Sequence, residues 1–83
     1  MSWKYPLSDI DIDKREIKAV NEVLASNWLT MGEVTKKFED EFAKYIGVKH
    51  AIAVTNCTAA LHLALKGLGI VHGDEVIVPS LTF

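Results

Sequence analysis

The sequence predicts an α/β fold: two helices followed by a βαβ unit. Three observations carry this reading. Apolar residues recur at helical spacing across residues 14–26 and again across 33–45. A continuously apolar run at 51–54 and a second strand-like run at 75–78 read as buried strands. Between them lies an alanine- and leucine-rich stretch, 57–68, and strand, helix, strand in that order makes a right-handed parallel crossover.

Residues 1–12 read as an extended lead-in, because Pro6 discourages a helix. Asp9, Asp11 and Asp13 alternate with Ile10 and Ile12. Their spacing of two resembles a calcium loop only superficially: the glycine and terminal glutamate of an EF-hand are missing. The first helix runs from Lys14 to Ser26, with Asp11 or Asp13 as its cap and acids suiting the positive end of its dipole. Ile17, Val20, Val23 and Leu24 form its apolar face, and Asn27 closes it in a left-handed conformation. Trp28 to Gly32 is a non-periodic loop carrying a large aromatic, either a core anchor or an interface residue. The second helix spans Glu33 to Tyr45, with Phe38, Phe42, Tyr45 and Ile46 on its apolar face and Gly47 as its stop. Thr55 or Asn56 caps the third helix, whose face is Ala60, Leu61, Ala64, Leu65 and Leu68, and Gly67 and Gly69 end it. Gly73-Asp74 is a turn, Glu75 to Val78 the second strand, and Pro79 its break.

A chain of 83 residues supports one small domain. Apolar residues at 49% and charged residues at 24% exclude intrinsic disorder. Such a chain buries roughly 60–65% of its unfolded surface, so it depends on partners for stability. Two parallel strands with unpaired edges, and helices with one uncovered face, predict that the isolated piece is partly molten, self-associating or ordered only with partner chains. The net charge of −2 argues against nucleic acid or an anionic membrane as partner. A single cysteine, Cys57, excludes an internal disulfide and suits a reducing compartment. No signal peptide is legible, and no apolar run approaches the ~20 residues of a membrane span, so the expected location is the cytoplasm. Repeats, low-complexity segments and linkers are absent from the sequence.

Chemistry concentrates at the turn from 55 to 58. Thr55, Asn56, Cys57 and Thr58 offer hydroxyls, an amide and helix-start N–H groups at the end of a strand, where ligands sit in open α/β sheets. A phosphate cradle and ordinary N-capping by Asn56 or Thr55 require the same residues, and the residues alone leave both readings open. The turn is neither a P-loop nor a dinucleotide loop. A reactive Cys57 thiolate would need a base, and His62 lies on another face of the helix, so a small residue filling a tight turn is the favoured reading. His50, His62 and His72 have no metal-ligand spacing, and no metal site is expected. Phe83 follows a strand end, from which a ring can cover a ligand held at the turn.

Four segments in order carry a resemblance. They are the acidic lead-in and helix through Asn27; Trp28-Leu29-Thr30-Met31-Gly32; Phe38 to Ala53; and Thr55 to Leu65 followed by Gly73 to Phe83. The last three are similar to W-[LI]-T-x-G, FE-x-x-FA-x-Y-x-GVKHAIA, and SNGTAALHLAL with GDEVI-x-PS-x-T-[FWY]. The chain from Leu7 onward thereby resembles the N-terminal part of the DegT/DnrJ/EryC1/StrS family of pyridoxal 5'-phosphate (PLP)-dependent nucleotide-sugar aminotransferases, which have the aspartate aminotransferase (type I) fold.

The resemblance implies a specific site. The PLP phosphate falls at Cys57 and Thr58, with Asn56 beside them, and Phe83 stacks on the pyridine ring. Thr30 and Gly32 are weaker candidates for contacts with substrate or a neighbouring subunit. Cys57 stands where many members have glycine; a backbone N–H survives that difference. The lysine that forms the Schiff base and the acid that pairs with the pyridine nitrogen lie beyond this segment in the family, and none of the chain's lysines matches. No catalytic residue is therefore expected within residues 1–83, and this piece alone is expected to be inactive. Residues 1–47 are expected as a helical arm and 48–83 as the start of the large-domain sheet. The implied activity moves an amino group from an amino acid, with glutamate the expected donor, to a nucleotide-linked keto sugar for polysaccharide or glycan synthesis by a homodimer. Two alternatives stand beside it: a sugar dehydratase of the same family, with histidine for the Schiff-base lysine, and a non-catalytic remnant that acts only by association.

Overall fold

The computed structural model describes residues 4–83. The chain divides into two compact units, one ending at Ala51 and one running from Ile52 to Phe83. The first holds helices α1 (Lys14–Ala25) and α2 (Glu33–Ile46), and the second holds α3 (Cys57–Gly67).

Asp13 settles the choice of cap for α1. Its carboxylate accepts the Arg15 backbone N–H at 2.7 Å, and Glu16 reaches back to the Asp13 N–H at 2.8 Å. This reciprocal box satisfies helix-start donors that otherwise lack partners. The Arg15 guanidinium also meets Asp13 at 2.9 Å. These bonds, the Arg15 side chain first, hold the Asp13 carboxyl below the usual aspartate range. Asn27 ends the helix at φ 59°, as expected. Here the Ser26 hydroxyl acts as a relay: it donates to the Val23 carbonyl at 2.6 Å and accepts the Trp28 N–H at 3.2 Å. Val23 O would ordinarily receive that N–H directly in a Schellman closure.

Helix α2 stops at Gly47, where φ is 83° and the Val48 N–H reaches back to Ala43 O at 3.0 Å. Phe38 and Phe42 stack one turn apart with ring centroids 5.8 Å from each other. On the opposite side the Lys36 ammonium meets Asp40 at 2.6 Å, which raises the lysine above its ordinary pKa. Helix α3 closes with a full Schellman motif: Gly69 N–H bonds to Lys66 O and Ile70 N–H to Leu65 O, with Gly69 at φ 76°. The next turn is tied twice, by Asp74 N–H to Val71 O at 3.1 Å and by Val71 N–H to the Asp74 carboxylate at 2.8 Å. Gly73 at φ 97° supplies the positive φ that the turn needs.

One expectation is not shown among the described residues. The described residues contain three helices and no strand, so the βαβ unit is not formed among them. Segments 51–54 and 75–78 have the composition of buried strands but form no strand among the described residues. A parallel pair needs both of its faces covered and further strands beside it. Here Ile77 is fully exposed, and Val78 is 68% exposed. The same shortage shows on the helices. Their apolar faces exist where the periodicity put them, yet Ala43 is the one buried hydrophobic among the described residues, while Ile17, Phe38 and Leu61 are each more than half exposed.

Candidate functional site

The start of α3 brings three of the expected site residues together. Asn56 is the N-cap: its side-chain oxygen accepts the Ala59 N–H at 2.8 Å, and its carbonyl accepts the Ala60 N–H at 3.2 Å. The next two donors, the N–H groups of Cys57 and Thr58, have no hydrogen-bond partner among the described residues. The capping reading is thus realised by Asn56, and it leaves two N–H groups open beside the exposed Thr58 side chain. The Cys57 side chain is likewise exposed, so its extra atoms over glycine obstruct no neighbour.

Charge distinguishes this helix start from the other two. Helix α1 carries Glu16 in its first turn and α2 carries Glu33, whereas α3 carries no acid and a neutral cap. A helix N-terminus bears roughly half a positive charge, which carboxylates of the chain neutralise when they are near. Among the described residues, the first turn of α3 holds no acid that does so. Two free N–H groups, a hydroxyl and an uncompensated dipole are the donor set that takes a phosphate.

Phe83 lies in the same unit, fully exposed, with no ring contact among the described residues. Thr30 and Gly32 lie in the first unit, in the loop between α1 and α2. There the Trp28 indole N–H donates to Met31 O at 3.0 Å. A Cβ on Gly32 would stand 2.5 Å from the indole nitrogen and 2.7 Å from Cδ1, so only glycine fits beneath the ring. Gly32 is also the N-cap of α2 and offers no side-chain cap. Sequence reasoning missed this indole–glycine clamp. No local signal marked it, because glycine is itself an accepted N-cap residue. Among the described residues, no helix is long and apolar enough to cross a membrane.

A capped helix start left open for an anion lies within a chain whose segments follow one pattern in order. The DegT/DnrJ/EryC1/StrS aminotransferase family pattern matches residues 10–83, and the chain belongs to that family. It is 57% identical over 72 residues to the spore coat polysaccharide biosynthesis protein SpsC of Bacillus subtilis (strain 168), covering 87% of this chain and 18% of that protein. It is 46% identical over 79 residues to the GDP-perosamine synthase of Vibrio cholerae, covering 94% of this chain and 22% of that protein. The chain thus spans about a fifth of the length of these curated relatives. No solved structure matches it. The family is PLP-dependent, and the open α3 start fits a cofactor that carries a phosphate.

Proposed function

We propose that these residues open the cofactor-binding domain of a PLP-dependent aminotransferase. The protein moves an amino group from an amino acid, glutamate being the donor, to a keto sugar linked to a nucleotide. Its product serves polysaccharide or glycan synthesis, and it works as a homodimer in the cytoplasm. Residues 1–47 form its helical arm and 48–83 begin its large-domain sheet, in which the runs at 51–54 and 75–78 pair with further strands. The observation that carries the reading is the acid-free start of α3 inside the family match. The names of the two relatives, one a GDP-perosamine synthase and the other a spore coat polysaccharide protein, support the substrate class.

Bound PLP supplies an electron sink for cleaving and forming bonds at the amino-bearing carbon. The chain's own residues bind and orient it. The Cys57 and Thr58 N–H groups and the Thr58 hydroxyl hold the phosphate, while Asn56 keeps the turn in shape by capping the helix. Phe83 would hold the plane of the ring by stacking, a contact favourable by about 0.5–1.5 kcal/mol beyond burial. The lysine that carries the cofactor is supplied from outside residues 1–83, so this piece alone is inactive.

The test is absorbance of the full-length protein purified from its natural gene. Bound PLP gives a visible-edge band, and glutamate is expected to bleach it. A nucleotide-linked keto sugar is then expected to restore the band and leave as an amino sugar. A full-length protein without the band would overturn the reading, and a band indifferent to every amino acid would overturn amination.

A further inference from the structure

We draw no further inference here: the strongest candidate, the cleft beside the Trp28–Gly32 clamp in the loop between α1 and α2, carries nothing because nothing in the structure shows what covers it, the chain spanning about a fifth of its relatives' length.

Discussion

At the residue scale, the proposed phosphate cradle asks little of the side chain at position 57. The open groups at the start of α3 are backbone N–H donors, which Cys57 supplies as well as glycine does. The side chain that matters is Thr58, whose hydroxyl can add one charge-assisted bond to an anion. In the full-length protein, Thr58→Val is therefore expected to weaken PLP about tenfold, the scale of one such bond. Cys57→Gly is expected to leave affinity within about threefold, because it removes no donor. Equilibrium titration of the apoprotein with PLP checks both, and the opposite order would show that the phosphate is held elsewhere. Asn56 could be read as a cap from its residue type and its place before an alanine-rich run. The contact of Gly32 with the Trp28 indole could not be read, because the direction of a side chain four residues back is not stated by the sequence.

At the element scale, local chemistry decides nearly everything. Each helix has its own cap, its own apolar stripe and its own left-handed closing residue, Asn27, Gly47 or Gly69. These signals act within one or two turns, so the observed boundaries fall within a residue or so of those the sequence predicts. Helix α1 also carries a pH dependence. Asp13 has a lowered pKa when folded, first through the Arg15 side chain. A group whose folded pKa is depressed contributes stability above its unfolded pKa and loses it as pH falls through the folded one. The α1 cap is thus expected to hold from neutral pH down through the ordinary aspartate range and to weaken only below it. NMR titration of the Asp13 carboxyl should show a midpoint below that of a free aspartate, and Arg15→Ala should move it upward. An Asp13 midpoint indifferent to Arg15→Ala would contradict the assigned cause. Lys36 behaves with the opposite sign: raised by Asp40, its contribution is present at neutral pH and lost only as pH rises through its folded pKa.

At the scale of the whole molecule, the described residues have apolar faces and almost nothing covering them. Among the described residues Ala43 is the one buried hydrophobic, and Phe38, Phe42 and Ile46 on the same helix are each about half exposed. Exposed apolar surface of this extent marks contacts yet to be made, and the family match over a fifth of the relatives' length is consistent with covering elements supplied by further chain. A polypeptide of residues 1–83 alone is expected to keep helical far-ultraviolet dichroism, bind a hydrophobic dye, self-associate and melt without a cooperative transition. It is also expected to give no PLP band and no turnover. A monodisperse monomer with a sharp, high-temperature melt would refute this.

The sequence by itself determined the three helices, their stops, the turn at Gly73-Asp74 and the family, and narrowed the caps of α1 and α3 to two residues each. All of these depend on residue type at short spacing, through hydrogen bonds and periodicities that close within a few residues. It also marked 51–54 and 75–78 as strand-like, because their apolar residues suit a pleated, buried environment. Whether they become strands was not decided there. A strand's backbone groups pair with a neighbouring chain segment, so its existence is a property of the sheet around it. Only the tertiary structure decided that these segments form no strand among residues 4–83. It alone placed the Trp28 indole over Gly32 as well, since side-chain direction and close approach are settled by geometry and not by composition.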